Sequence, residues 1–432
     1  MLHNFTGGND GLYPFAGLTM DKEGNLYGTT QGCCGDIGYD LGSVYKLTHG
    51  GSGWVLTILY KFTGYRGPTN DGAYPYAGVV FGPDGSLYGT TSRGGFGSYC
   101  AGGCGAVFKL APPATTCKSA HCPWVETVLY RFSGPDGAQP QSEVVFDQAG
   151  NLYGTTAGGG QSRSYCPHGC GTVFKLTPSG TETVLYSFGA SSADGVIPQG
   201  KLALDASGNI YGATAFYCDP NNKDRNQRLP RAPGSFIANN GENCDGTGTI
   251  YQLTASDSGW TENTLYIFQY PSDDGWAPEA GLTIDQFGNL YGTASGGGVN
   301  NGGVCFELTL SNSGWIYSVL YPFSTGSSPA SGLTFDTTGN LYGTTVYGGT
   351  GNCGGEGCGT VFKLAPSGGS WTYAQLYDFT GPGGQDNDGA MPYAAPILDP
   401  SGNVFGTTYS GGDDPQCTQA GTGCGVVWEI TP

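Results

Sequence analysis

Apolar residues in this chain fall in short runs of four to eight, rich in Val, Tyr, Phe and Thr, and each run is fenced by Gly, Pro, Asn and Asp. Runs of that length and composition between turn formers read as β-strands. No stretch sustains a 3.6-residue period, so the pattern predicts an all-β chain with almost no helix. The runs also repeat. Gly-Asn-Leu-Tyr-Gly-Thr-Thr, or a close variant, occurs seven times, starting at Gly24, Gly85, Gly150, Gly208, Gly288, Gly339 and Gly402. Self-similarity at spacings of 51 to 80 residues means a solenoid, a propeller or an array.

The content of one unit decides among these. A short first strand, such as Ala16-Gly17-Leu18-Thr19-Met20, leads through an Asp-x-x-Gly turn into the Asn-Leu-Tyr-Gly-Thr-Thr strand. A Gly-rich loop follows, then a third strand of the type Gly-Thr-Val-Phe-Lys-Leu (171–176, 359–364), and a fourth ending Leu-Tyr-x-Phe. Four antiparallel strands repeated seven times predict a seven-bladed β-propeller. The chain starts on an isolated fourth strand, residues 2–5, and ends on a third strand, 425–430, so residues 2–5 are expected to complete the last blade and close the ring. The variable site of Leu-Tyr-x-Phe holds Lys61, Arg131, Asp378 and Pro322 among others, which suits an outer edge strand. The first strand is then innermost, where Gly17, Gly78, Gly281 and Gly332 let converging chains approach.

Length and composition add limits. A chain of 432 residues is long enough for two or three domains, but the repeat predicts one propeller domain over 1–432. The 80 glycines belong to turns, because the aromatics are too regularly placed for a disordered chain. A net charge of −18 repels a phosphate backbone and argues against nucleic acid. The basic cluster Lys223, Arg225, Arg228 and Arg231 lies in the longest insertion and reads as a solvated loop, with an anionic contact as the alternative. No run of 18 apolar residues is present, and residues 1–15 lack the pattern of a leader, so export implies that a leader has been removed.

Fifteen cysteines are ordered along the repeat. Pairs occupy the loops between second and third strands: Cys100 with Cys104, Cys166 with Cys170, Cys218 with Cys244, Cys353 with Cys358 and Cys417 with Cys424. The pair Cys117 and Cys122 precedes a fourth strand, and Cys33 and Cys34 are adjacent and could form a vicinal bridge. Zinc needs four convergent ligands, whereas these pairs are spread one per blade. The four histidines (His3, His49, His121 and His168) do not cluster with them, although His168 lies between Cys166 and Cys170. Local disulfides and an oxidising compartment are expected, with no metal site and Cys305 as a free, buried thiol. Asp386-Asn387-Asp388-Gly389 is a fragment of a calcium-loop pattern without its remaining ligands, so calcium stays a weak option and no other cofactor is expected.

The loops between blades carry Asp-Gly-x-x-Pro six times (Asp10, Asp71, Asp136, Asp194, Asp274, Asp388), with Thr325-Gly326 standing in at the sixth blade. Six copies of one Asp read as turn chemistry. Departures from the repeat are more informative. Directly after the prolines stand Phe15, Tyr76, Gln141, Gln199, Glu279, Ala330 and Tyr393, and two residues further on blades three and four carry Glu143 and Lys201. Ring order makes Tyr393, Phe15 and Tyr76 an aromatic arc facing a polar arc of Gln141, Glu143, Gln199, Lys201 and Glu279, with Trp276 in the loop entering blade five. Aromatic platforms beside amides and carboxylates suit a carbohydrate. Glu143 and Glu279 are the candidates for acid–base work; the competing reading makes the aromatics core caps and Glu143–Lys201 an inter-blade ion pair.

The phrase Gly-Asn-Leu-Tyr-Gly-Thr-Thr followed by Gly-Thr-Val-Phe-Lys-Leu resembles the Gloeobacter/Verrucomicrobia (GloVer) tandem repeat of extracellular bacterial proteins over essentially the whole chain. The resemblance implies secretion or surface display and supplies no catalytic motif. Members often end in an anchor, whereas this sequence ends at Pro432 without one. Two functions are therefore expected to compete: a secreted propeller that binds or processes an extracellular polysaccharide, as a hydrolase or lyase if it is an enzyme, and a non-enzymatic scaffold for surface or filament assembly, including self-assembly.

Overall fold

The computed structural model describes residues 1–35, 38–51, 53–64, 70–95, 99–113, 123–162, 166–189, 194–217, 247–270, 272–382, 388–412, 417 and 423–432, with the side chains at 33–35, 38–39 and 217 left aside. Seven four-stranded antiparallel sheets form a seven-bladed β-propeller. Blade one holds Thr19–Met20, Leu26–Thr30, Ser43–Gly50 and Gly53–Lys61, from the axis outward. Blade seven holds Ile397–Leu398, Val404–Thr408 and Val426–Ile430, and its outer strand is His3–Asn4. His3 pairs with Val427 and Asn4 with Val426, flanked by Leu2 N donating to Val427 O at 2.8 Å and Phe5 N to Gly425 O at 3.1 Å. The ring is closed by its N-terminus, as the strand inventory requires.

The first strands differ from expectation in length. Only two residues ladder in six blades, because residues such as Ala16–Leu18 leave the sheet to line the axis. Blade four is the exception, with an inner strand running Gly195–Leu204.

Most polar positions of the repeated phrase have a structural partner. In blade one, Asp21 Oδ1 accepts from the amides of Glu23 and Asn25, while Oδ2 accepts from Asn25 Nδ2 at 2.7 Å and Tyr27 Oη at 2.9 Å. The same cage forms around Asp147, Asp205, Asp285 and Asp336. The glycine after Tyr is needed for close approach: a Cβ at Gly154 or Gly343 would strike the ring of Phe174 or Phe362 on the third strand. Of the two threonines, the first commonly bonds across to the next blade (Thr29 Oγ1 to Ala77 O, 2.9 Å; Thr407 Oγ1 to Ala16 O, 2.8 Å), while Thr155 bonds Ser142 Oγ of its own blade. The second meets a hydroxyl of its own third strand (Thr156 with Thr172, 2.8 Å).

The inter-blade Asp is structural too. The tyrosine of Leu-Tyr-x-Phe donates to it: Tyr60 to Asp71 at 2.5 Å, Tyr130 to Asp136 at 2.5 Å, Tyr186 to Asp194 at 2.8 Å and Tyr377 to Asp388 at 2.5 Å. In the strand that closes the ring His3 stands at the tyrosine position, 3.3 Å from Asp10. At the sixth blade, where the Asp is missing, Tyr321 instead stacks on Tyr373 with centroids 4.3 Å apart. Asp388 is fully engaged in this turn, also accepting from Thr380 and Gly381, whereas its calcium-loop partners 386–387 lie outside the described residues.

Disulfides join Cys100–Cys104, Cys166–Cys170, Cys353–Cys358 and Cys417–Cys424, and Cys305 is free and buried. Three of the expected bridges are not among these four. The pairing expected of Cys117 with Cys122 lies outside the described residues, because both cysteines do. The same holds for the pairing expected of Cys218 with Cys244, and for the basic cluster at 223–231 in the same insertion. Cys33 and Cys34 sit in a small hairpin, Cys33–Gly35 with Gly38–Asp40, but their side chains are outside the description, and so is the expected vicinal bridge. Among the described residues no helix is long and apolar enough to cross a membrane.

Candidate functional site

The site is built from one unusual backbone position per blade. The residue before each loop proline has positive φ, from 51° at Ser328 to 60° at Ile197. A residue preceding proline is normally extended, and β-branched Ile197 resists this region further. Hydrogen bonds hold it there. The amides of Tyr13, Gln139, Ile197 and Met391 donate to the carbonyls of Cys424, Cys104, Cys170 and Cys358 of the preceding blade at 2.8, 2.8, 2.8 and 2.9 Å. The carbonyls of Tyr13, Gln139 and Met391 accept from Gln31, Ala157 and Tyr409 of their own blades. Each described disulfide therefore includes the cysteine on which the next blade hangs. Proline follows, and the residue after it is delivered to the axis.

Those residues converge. A cavity of about 590 Å³ at the axis is lined from all seven blades and includes Phe15, Tyr76, Gln141, Glu143, Gln199, Lys201, Glu279, Ala330 and Tyr393. Phe15 stacks on Tyr393 at 4.7 Å and meets Tyr76 edge-on at 5.8 Å, so the three rings of the aromatic arc are in contact, with Tyr76 and Tyr393 themselves buried and Phe15 half-buried. Across the axis, Lys201 Nζ lies 3.3 Å from Glu143 Oε2, an ion pair between blades three and four. Glu143 reaches toward blades one and two: its Oε1 lies 2.8 Å from where a Cβ at Gly78 would sit and 3.4 Å from one at Gly17. Gly281 likewise leaves room for the Lys201 backbone, whose carbonyl accepts from Leu282 N at 3.3 Å. The axial glycines thus make way for the two charged residues as well as for the strands.

Glu279 is different. It has no ion-pair partner among the described residues, and desolvation by the surrounding protein pushes its carboxyl up to about 7. It couples to Tyr393, whose hydroxyl burial also raises. Trp276 is not part of this cavity: its amide bonds Gly296 O, its ring lies over Gly296 and meets Tyr270 edge-on at 5.9 Å. Tyr409 and Tyr13, which stack at 4.8 Å, back the aromatic arc, Tyr409 lying edge-on to Phe15 and Tyr393. Sequence reasoning missed Tyr409, although it departs from the repeat in the same way, standing where sister blades have Gln31, Ser92, Ala157 and Ser295 after the threonines. No group of three metal-binding side chains occurs among the described residues.

No curated protein matches this sequence. Among solved structures, an ulvan lyase of a new polysaccharide lyase family aligns with a TM-score of 0.56 at 12% identity, over 99% of this chain and 94% of that one. The extracellular domain of a one-component system from B. thetaiotaomicron aligns with a TM-score of 0.52 at 10% identity over 95% of this chain, which spans 39% of the length of that protein. At such identities the likeness establishes the propeller fold. The model of the Gloeobacter/Verrucomicrobia repeat matches residues 1–223 and 235–420, and the chain belongs to that repeat family.

Proposed function

We propose that this propeller is an extracellular protein that holds a polysaccharide at the mouth of its axial cavity, between the aromatic and polar arcs. The observation that carries the reading is the convergence of the one chemically variable position of each blade on a single cavity, with aromatic rings in contact in blades seven, one and two and amides and carboxyls in blades three to five. Flat aromatic surfaces accept the apolar faces of sugar rings while amides exchange hydrogen bonds with hydroxyls. The disulfides support an oxidising compartment, and the likeness to a polysaccharide lyase, seen also with a glucuronyl-rhamnose sulfate ligand bound at a TM-score of 0.53, agrees with a glycan partner. Glu279 is the candidate acid or base should cleavage accompany binding, since a carboxyl near 7 exchanges protons at neutral pH.

A glycan array with purified protein tests the reading. Phe15→Ala and Gln199→Ala should each weaken a positive interaction about tenfold, ~1.4 kcal/mol, with the melting temperature retained. Unchanged binding in both variants removes the cavity from consideration. Reducing-sugar and unsaturated-uronate assays then ask for turnover, which Glu279→Gln should abolish while binding persists. The scaffold reading draws on exposed apolar residues of outer strands, Val55, Val125 and Ile316, and is tested by size-exclusion chromatography.

A further inference from the structure

We infer that the glycan held at the cavity mouth is uncharged, a neutral oligosaccharide rather than a uronate-bearing or sulfated one; the inference rests on the glycan reading above. The charge inventory of the cavity carries it. Its described lining contains one cation, Lys201, and two carboxyls, Glu143 and Glu279. Lys201 is already committed to Glu143 at 3.3 Å. An anionic sugar that took Lys201 from Glu143 would exchange one ion pair for another. It would also leave the Glu143 carboxylate unpaired beside the new anion, so no net attraction results.

The other polar groups point the same way. Gln141 and Gln199 present neutral amides, each able to donate and accept, which matches hydroxyls rather than carboxylates. Glu279 sits in a desolvated position that favours its neutral form, and a bound anion would oppose its ionisation further. The long-range field acts in the same sense, since the chain carries a net charge of −18 and repels acidic polymers before contact. The aromatic arc is indifferent to charge and supplies stacking for any pyranose. If bonds are cleaved, the absence of a uronate removes the acidic C5 proton that a lyase abstracts. The chemistry left is hydrolysis: water adds to the anomeric carbon as a carboxylate takes its proton, the glycosidic C–O bond breaks, and the leaving oxygen takes a proton from a carboxylic acid.

Calorimetry with neutral gluco-, xylo- and manno-oligosaccharides against galacturonate, alginate and sulfated oligosaccharides of equal length tests this. The expected result is binding of a neutral member with less than a twofold change in affinity between 50 mM and 500 mM salt. Glu143→Gln, which frees Lys201, should then gain at least fivefold for an acidic oligosaccharide. Binding of an acidic member by the parent protein, weakened by salt and abolished in Lys201→Met, overturns the inference and leaves the glycan reading standing. Binding of neither class overturns the glycan reading and this inference with it.

Discussion

Phe5 offers the sharpest test of how the ring is closed. It lies on the strand that reaches blade seven without covalent continuity, and it is fully buried, edge-on to Tyr45 of blade one at 5.2 Å. Its counterparts in continuous blades, such as Phe132 and Phe188, are equally buried. If the N-terminal strand is a full member of its blade, Phe5→Ala should cost what Phe132→Ala costs, about 3–5 kcal/mol for a large cavity in a packed core. For a ring of 432 residues unfolding as one unit, an unfolding entropy of about 0.9 kcal/mol/K converts that to a fall of roughly 3–5 °C. Deleting residues 1–6 should cost more, since it also removes the pairing to Val426 and Val427 and exposes the Val426–Ile430 edge. Calorimetric melting of parent, Phe5→Ala, Phe132→Ala and the truncation reads all of this. A Phe5→Ala protein melting within about 1 °C of the parent, while Phe132→Ala drops, would refute closure by this strand.

Three further outcomes follow from buried groups. Tyr45 and Tyr251 stand where sister blades have Phe108, Phe174, Phe306 and Phe362, and among the described residues their hydroxyls are buried without a hydrogen-bond partner; Tyr45→Phe and Tyr251→Phe should each stabilise by about 1 kcal/mol, seen as a rise in melting temperature. Glu126, Glu182 and Glu262 take outer-strand positions held by Leu56, Tyr317 or Tyr373 elsewhere, and burial, with Asp71, Asp136 and Asp194 nearby, pushes their carboxyls up to about 7. Their folded pKa lies above the unfolded one, so their contribution is present below about pH 4.5 and lost as pH rises through 7; after allowance for partial solvent screening it is about 1 kcal/mol each, and melting should fall by a few degrees more from pH 5 to 8 in the parent than in the triple Glu→Gln variant, which keeps Glu279. Hydrogen exchange reports on the clamps: replacing Cys353 and Cys358 by Ser should speed exchange of the Met391 amide at least tenfold with little change at Tyr74, whose amide bonds the carbonyl of Leu41 rather than of a cysteine.

The ring is readable from local pattern alone. Seven copies of one strand phrase set the blade number, the split of strands between the two ends set the closure, and Pro322 and the charges in Leu-Tyr-x-Phe identified the outer edge, because repeat period and edge chemistry are local properties. The same pattern also placed the cavity residues on the page, since whatever varies inside a fixed backbone phrase stands out. Tertiary structure decided which of them meet. Phe15, Tyr76 and Tyr393 form one surface and Trp276 turns away, because loop residues reach the axis only when a clamped proline aims them there, and Trp276 instead covers Gly296. The pairing of Lys201 with Glu143, the neutral leaning of Glu279 and the support that Tyr409 gives Phe15 depend on distances between blades. Such distances join residues of different repeats, far apart along the chain, and no local pattern encodes them.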